Sequence, residues 1–191
     1  MKEDSKVLGL LLVIAVVCVG VIAAVAYTHP FGAPEEKINW NLTLISSGGE
    51  EKVLSFDELK AMPYYEGHGG FFTTVGMKHG PFKCKGVPIE DLCDLVGGIE
   101  PSNTLWVSAP DGYLMVFTHD QVKGDYITYD SITLEEVPHG DLKMILLYEL
   151  DGAPLSEDDG RPLRLAIVSK DKLMIEGHYW VKWVNKIEIR R

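Results

Sequence analysis

The sequence predicts one α+β domain that is rich in strands and has only short helices, preceded by one transmembrane helix. Three observations lead to this prediction. They are an uncharged apolar run near the amino terminus, short alternating apolar segments after it, and turn signals rich in Gly, Pro and Asp between those segments. With 191 residues, the chain has room for one such domain and a short appendage.

The apolar run at residues 7–27 predicts a membrane anchor. As a helix it would span roughly 30 Å, which matches the hydrocarbon core of a bilayer. Lys2 and Lys6 precede it, and no Lys or Arg follows until Lys37. Since positive charge stays inside, we expect a cytoplasmic tail over residues 1–6, a single pass of the cell membrane and an extracytoplasmic carboxy-terminal domain. A cleaved signal peptide is the alternative, because small residues near the end of the run permit cleavage.

A Pro- and Gly-containing linker over residues 28–36 leads into the predicted domain at residues 37–191. The chain has 18 basic and 28 acidic residues, and its first six residues hold two of each, so the remainder carries the whole net charge of −10. No basic patch suited to nucleic acid is present in this sequence, so we expect no nucleic-acid partner.

The first half of the domain is predicted to contain short elements. Trp40 to Ile45 alternates between apolar and polar residues and predicts a strand. Ser55 and Glu58 have the spacing of a capping box, so a short helix should begin there and end before Pro63. The other expected elements are a loop over residues 67–80 with a strand at Phe71 to Val75 inside it, a turn at residues 86–88, and a helix over residues 89–96.

The second half is predicted to consist mostly of strands. The expected elements are a hairpin of Thr104 to Ser108 and Tyr113 to Phe117 with its turn at Asp111 and Gly112, a buried strand from Leu142 to Leu150, an acidic loop at residues 157–159, a buried strand from Leu163 to Val168, and a last strand that carries Trp180, Lys182 and Trp183.

Two cations in this last part point to an anion. Arg164 and Lys182 lie in or beside apolar strands, where a cation is costly unless it meets an anion. The glycines at positions 67, 69 and 70 could offer backbone N–H groups to a phosphate, although a loop without that role is the simpler interpretation. The six histidines show no close metal-binding pair.

Cys84 and Cys93 allow two interpretations. Outside the cytoplasm they could pair as a disulfide. Alternatively Cys93, which lies in an apolar run, is a small core residue.

The order of several motifs resembles the sulfite-oxidase-like molybdopterin-binding domain family over most of the predicted domain. The motifs are Ser-Phe-Asp-Glu-Leu from Ser55, Lys-Gly-Val-Pro-Ile from Lys85, Ala-Pro-Asp-Gly-Tyr from Ala109, Asp-Gly-Ala-Pro-Leu from Asp151, Gly-Arg-Pro-Leu-Arg-Leu from Gly160, and Val-Lys-Trp from Val181. The resemblance implies a strand-rich sulfite-oxidase-like molybdopterin-binding fold that holds molybdopterin, the organic part of the molybdenum cofactor, for oxidoreductase chemistry.

The same resemblance implies a set of cofactor-binding residues. Gly160, Arg164 and Lys182 match its carboxy-terminal pattern, and His178 is the histidine expected to meet the pterin. An Arg offers a planar fork to a phosphate, and a Lys offers a point charge.

The chain departs from the family where members present a Cys thiolate to molybdenum. Thr74 or Val75 stands where that thiolate is expected, and Cys84 follows several residues later as a displaced candidate metal ligand.

These observations leave two main functions open, ahead of a third, an anchored receptor-type scaffold with no small-molecule site. One is a membrane-anchored molybdopterin-dependent oxidoreductase that acts on a small substrate or with a redox partner. The other is a non-catalytic module that kept the fold to bind a ligand or a protein after losing the molybdenum-ligating Cys. A molybdenum assay on protein from a cofactor-producing host separates the two.

Overall fold

Strands dominate residues 38–191, the part of the chain that the computed structural model describes. The predicted cytoplasmic tail (1–6), transmembrane helix (7–27) and linker (28–36) lie outside the described residues. Among the described residues, no helix is both long enough and apolar enough to cross a bilayer. The expected strand-rich fold is therefore confirmed for this part, in which the helices are short.

The elements follow one another as thirteen strands and three α-helices within residues 38–191. In chain order they are β1 (Asn41–Ile45), β2 (Glu51–Ser55), α1 (Phe56–Ala61), β3 (Tyr65–Phe72), β4 (Lys78–Pro88), α2 (Ile89–Asp94), β5 (Thr104–Ser108), β6 (Leu114–Thr118), α3 (His119–Val122), β7 (Thr128–Asp130), β8 (Glu136–Val137), β9 (Lys143–Leu150), β10 (Ala153–Pro154), β11 (Arg164–Val168), β12 (Leu173–Glu176) and β13 (Lys186–Arg190). A 3₁₀ turn, Gly177–Tyr179, follows β12.

These strands form two sheets around one apolar core. The first sheet has the order β2-β1-β13-β5-β6, and the second has the order β10-β9-β4-β3-β12-β7-β8, with β11 paired to β9. β1 and β13 pair in parallel, as do β12 and β3, and the other neighbours are antiparallel. The amino-terminal and carboxy-terminal strands of the described region therefore lie side by side in the first sheet.

Several local predictions are confirmed. Ser55 and Glu58 form the expected capping box, because the Glu58 carboxylate accepts a 2.8 Å bond from the Ser55 backbone N–H and the Ser55 hydroxyl accepts one from the Glu58 N–H. β5 has the predicted bounds, and its hairpin partner β6 begins one residue later than predicted.

The predicted loop over residues 67–80 and the turn at 86–88 are wrong, because these residues belong to the long hairpin of β3 and β4. The glycines serve close packing here. A Cβ on Gly67 would lie 2.6 Å from the Ser169 carbonyl oxygen, and one on Gly69 would lie 2.7 Å from the Ile167 carbonyl oxygen. These glycines thus let neighbouring backbone approach β3, and the phosphate-binding loop does not form.

The last predicted strand is also partly wrong. After the 3₁₀ turn the chain stays irregular until β13 starts at Lys186, and Trp183 has a left-handed φ of 54°. This irregular segment still runs beside the start of β11, because the Leu165 N–H donates to the Val181 carbonyl and the Val184 N–H to the Leu163 carbonyl. The segment therefore brings Lys182 near Arg164 without being a strand.

Candidate ligand-binding cleft

Arg164 is a buried cation at the first position of β11, with an exposed fraction of 5%. Its guanidinium carbon lies 4.8 Å from the ring centroid of Phe71 and 5.1 Å from that of Trp180. One Nη donates a long 3.4 Å bond to the Asp159 carbonyl oxygen, and Nε has no hydrogen-bond partner. Aromatic faces thus partly replace the anion that a buried guanidinium would otherwise need.

The electrostatics of Arg164 show that its charge is not fully compensated. Burial lowers the pKa of Arg164 to about 10, while the nearby Asp159 and Cys84 act in the opposite direction. Desolvation is therefore the larger effect. An anion that reached the guanidinium would replace the interaction with water that Arg164 loses on burial.

A cavity of about 290 Å³ lies beside Arg164. It is lined by Asp111, Tyr113, Arg164, Gly177, Trp180, Val181, Lys182 and Trp183. The indole N–H of Trp180 is buried without a hydrogen-bond partner. The cavity wall therefore combines two cations, three aromatic side chains and two unsatisfied donor groups.

Lys182 is held in this wall by the acidic loop that precedes β11. Its Nζ donates to the Asp158 carbonyl oxygen. Gly160 has φ of 95°, and a Cβ there would lie 2.7 Å from the Lys182 Cβ. The family-like residues Gly160, Arg164 and Lys182 are thus brought together, and the carbonyls of Asp158 and Asp159 bind the two cations.

His178 lines a neighbouring cavity of about 490 Å³, together with Phe71, Phe72, Thr73, Thr74, Glu176 and Gly177. Its Nδ1 lies 3.2 Å from a Glu176 carboxylate oxygen, and its ring centroid lies 3.9 Å from that of Tyr179. Gly177 belongs to both cavities. The structure therefore places His178 next to the Arg164 cavity and does not place it among that cavity's lining residues.

Cys84 is fully buried within β4, and burial raises the pKa of its thiol to about 12. Its Sγ lies 3.6 Å from the Phe82 carbonyl oxygen. It is absent from the lining of both cavities described above, although it lies near enough to Arg164 for each to affect the pKa of the other. Cys84 and Cys93 are both free thiols, so they do not form a disulfide.

The positions expected to carry a thiolate in catalytic relatives lie at the tip of the β3–β4 hairpin. Val75 is 78% exposed, and Thr74 lines the larger cavity. Residues 38–191 contain no group of three or more His, Cys, Asp or Glu arranged to hold a metal ion. The cleft thus presents the cations of Arg164 and Lys182, which suit an anionic group such as a phosphate, and it does not offer an accessible protein thiolate to a metal.

Sequence reasoning missed the aromatic part of the cleft. The sequence predicts Phe71 in a short strand without a role and Trp180 in a regular strand, yet their ring centroids lie 5.0 Å apart and both face Arg164. The two residues come from segments far apart in the chain, so no local pattern could pair them. The excess of aromatic residues around Lys182 was the available signal.

Comparisons with known proteins agree with this fold. A sequence model of the family described as "oxidoreductase molybdopterin binding domain" matches residues 30–191. The crystal structure of the sulfane dehydrogenase SoxCD from Paracoccus pantotrophus is similar, with a TM-score of 0.60 and 20% sequence identity over 83% of this chain and 40% of that chain. This chain therefore spans less than half of that structure's chain, and the likeness at this identity shows the fold alone. No curated protein matches the sequence. The family match covers most of the sequence, and the chain belongs to the oxidoreductase molybdopterin-binding domain family.

Proposed function

We propose that this chain is a membrane-anchored, extracytoplasmic member of the family that binds a phosphate-bearing pterin of the molybdopterin type. In this proposal Arg164 and Lys182 hold the anionic part of the ligand, and the Trp180 indole N–H donates to it. The protein acts as a ligand-binding module and does not present its own thiolate to a metal. When bound, a complete molybdenum cofactor would supply oxygen-atom and electron transfer.

The observation that carries this proposal is a buried guanidinium with an unsatisfied Nε–H beside an open cavity. Arg164 is nearly fully buried, its Nε lacks a partner, and it lines a space of about 290 Å³. Leaving a buried charged donor unsatisfied costs more than most single contacts contribute. Such a cost is understandable where a ligand later supplies the missing acceptor.

The family-level oxidoreductase remains the second candidate, with Cys84 as the metal ligand. The observation in its favour is that Cys84 lies near Arg164, as the mutual effect on their pKa values indicates. The burial of the Cys84 side chain counts against it, since a thiol must lose its proton and be accessible to the metal before it can act as a ligand. This candidate requires β4 to rearrange around Cys84.

The amounts of pterin and molybdenum in the purified protein separate the two candidates. The full chain is produced in a host that makes the molybdenum cofactor, and pterin and molybdenum are measured per polypeptide. A pterin content that is unchanged by Cys84→Ser supports the binding module. Stoichiometric molybdenum that disappears in Cys84→Ser supports the oxidoreductase, and absence of pterin from the wild type contradicts both.

Arg164→Met tests the proposed contact directly. The variant should lose most of the bound pterin, by roughly tenfold or more in affinity, because a charge-assisted contact to phosphate is removed. Arg190→Met is the matched control. Arg190 also stacks on an aromatic ring, with its guanidinium carbon 3.8 Å from the Trp106 centroid, and it is absent from the cleft lining. Equal losses in the two variants would contradict the assignment of Arg164.

The anchor and its orientation need a separate test. The full chain should remain in the membrane fraction after extraction at alkaline pH, because about twenty apolar residues make insertion effectively irreversible. Protease added to intact cells or spheroplasts should degrade the carboxy-terminal domain. Release of the chain by alkali would instead indicate a cleaved or peripheral form.

A further inference from the structure

Two turns carry the most exposed large apolar side chains of residues 38–191. Ile132 is 80% exposed and Val75 is 78% exposed, and Met77 near Val75 is 58% exposed. Single apolar residues on a surface are ordinary. Here the two largest exposures fall on the tips of two loops, the turn at residues 73–77 and the loop at residues 131–134.

A lysine connects these two loops. Lys78 follows the first turn, and its Nζ donates to the carbonyl oxygens of Ser131 at 3.2 Å and Ile132 at 2.8 Å. The first turn is closed by a 2.9 Å bond from the Thr73 N–H to the Met77 carbonyl. The loops are therefore held next to one another.

The second loop is also braced from within. The Asp130 carboxylate accepts 2.8 Å bonds from the backbone N–H groups of Ile132 and Thr133. Because both loops are already ordered, placing their apolar tips against a surface would cost little conformational entropy.

The charge pattern distinguishes these loops from the rest of the protein. Residues 73–77 are Thr-Thr-Val-Gly-Met and residues 131–134 are Ser-Ile-Thr-Leu, so neither contains a charged residue, while the chain as a whole has a net charge of −10. Of the charged residues that adjoin the loops, Lys78 and Asp130 bind backbone groups of the loops, and Glu135 follows the second loop with an exposed side chain. The tips themselves are thus uncharged and apolar.

We propose that these two loops dock on a lipid surface by inserting Val75, Met77 and Ile132 at the level of the headgroups. Lipid is the proposed occupant because the anchor would hold the domain beside a bilayer, and because exposed aliphatic side chains such as these gain free energy when they enter the boundary between headgroups and acyl chains. The inference rests on the proposed membrane anchor. The ten residues at positions 28–37 can extend at most about 35 Å, so an anchored domain cannot leave the neighbourhood of the bilayer.

Docking has a consequence for the larger cavity. Thr73 and Thr74 belong to the first turn and also line the space of about 490 Å³ next to His178. Insertion of this turn brings one wall of that cavity to the membrane surface.

Depth-dependent quenching in reconstituted membranes tests the proposal. The full chain, carrying Cys18→Ser, is placed in phosphatidylcholine nanodiscs with one added cysteine, Val75→Cys or Ile132→Cys, labelled with an environment-sensitive dye. Cys84 and Cys93 are buried and should not react. Val53→Cys is the matched control, because Val53 is an apolar residue that is 50% exposed on β2.

Docking predicts blue-shifted emission at positions 75 and 132, with quenching by spin-labelled lipid about threefold or more above that at position 53. The quenching should persist in high salt, since insertion is apolar and not electrostatic. Met77→Asp should reduce quenching at position 132 to the control level.

Equal quenching at all three positions in a chain that remains membrane-bound would overturn the docking and leave the anchor intact. A blue shift without lipid quenching would identify a protein contact and also overturn it. A chain that does not associate with lipid at all would overturn the anchor, and with it the docking.

Discussion

Gly160 lies against Lys182 so closely that a Cβ on the glycine would be 2.7 Å from the Lys182 Cβ and 2.9 Å from its Cα. The loop that contains Gly160 also supplies the Asp158 carbonyl to the Lys182 ammonium group and the Asp159 carbonyl to Arg164. The position of both cations therefore depends on one loop that only glycine allows to approach.

Gly160→Ala should reduce the free energy of unfolding by roughly 2–4 kcal/mol, because it adds a close contact to a left-handed backbone with φ of 95°. The measurement is urea unfolding of the full chain in detergent, followed by tryptophan fluorescence. Gly112→Ala is the control, since Gly112 has φ of 90° and no atom within 4 Å of its added Cβ. Gly112→Ala should lower the free energy of unfolding by only about 1 kcal/mol. Equal losses of stability in the two variants would show that the contact between position 160 and Lys182 contributes nothing.

Arg164→Met should leave the ligand-free protein as stable as the wild type, or more stable by about 1 kcal/mol. Burial already lowers the pKa of Arg164 to about 10, so removal of the charge relieves a desolvation cost, although two cation–π contacts are lost. Urea unfolding without pterin measures this effect. A loss above about 3 kcal/mol would mean that Arg164 is mainly a structural residue.

The stability of the protein should fall above pH 9 because of its two buried thiols. Burial raises the pKa of Cys84 and of Cys93 from 9.0 to about 12. Below pH 9 a buried thiol is protonated in both the folded and the unfolded state, so it does not reduce the free energy of unfolding. Between the pKa of the unfolded state and the higher pKa of the folded state, the thiol ionises only when the protein unfolds, so the free energy of unfolding falls as the pH rises. Each thiol should therefore lower the free energy of unfolding by about 1 kcal/mol between pH 9 and pH 10.

Unfolding experiments at pH 8, 9 and 10 check this dependence in the wild type and in Cys93→Ala. At pH 8, Cys93→Ala should have a lower free energy of unfolding than the wild type, because the substitution leaves a cavity. Between pH 9 and pH 10, its free energy of unfolding should fall by about 1 kcal/mol less than that of the wild type. Identical pH slopes would show that Cys93 is accessible to water.

Gly67→Ala distinguishes a packing role from a phosphate-binding role for the glycines of β3. A Cβ there would lie 2.6 Å from the Ser169 carbonyl oxygen, so the variant should lose roughly 2–4 kcal/mol of stability. Gly48→Ala should be almost neutral, since the nearest atom to its added Cβ is 3.7 Å away. A stable Gly67→Ala variant with weakened pterin binding would restore the phosphate-binding interpretation.

Local features of the fold were predictable where the signal lies within a few neighbouring residues. The capping box of Ser55 and Glu58 and the β5–β6 hairpin formed as expected. The β3–β4 hairpin was missed because the glycines between residues 67 and 80 suggest a loop in isolation. The role of Gly67 and Gly69 as close-packing residues emerges only once Ser169 and Ile167 lie against them.

The candidate site was likewise predictable in part. Residue type and position alone point to Arg164 and Lys182, because a buried cation in an apolar strand requires a partner wherever the strand lies, and the family resemblance adds Gly160. Burial and accessibility could not be predicted in this way. Cys84 is a candidate metal ligand by type and position, and its complete burial in β4 removes the accessible thiolate that this role needs.

The strand-rich fold, the family and the two cations follow from the amino-acid sequence alone, since alternation, capping and motif order are properties of short stretches of the chain. The sequence also supports the membrane anchor, which the apolar run predicts. Tertiary structure decided that Arg164 faces Phe71 and Trp180, that His178 lines the neighbouring cavity, and that Val75 and Ile132 lie on loops joined through Lys78. These contacts join residues from different strands and loops, and strand pairing, which brings distant segments together, is not a local property of the chain.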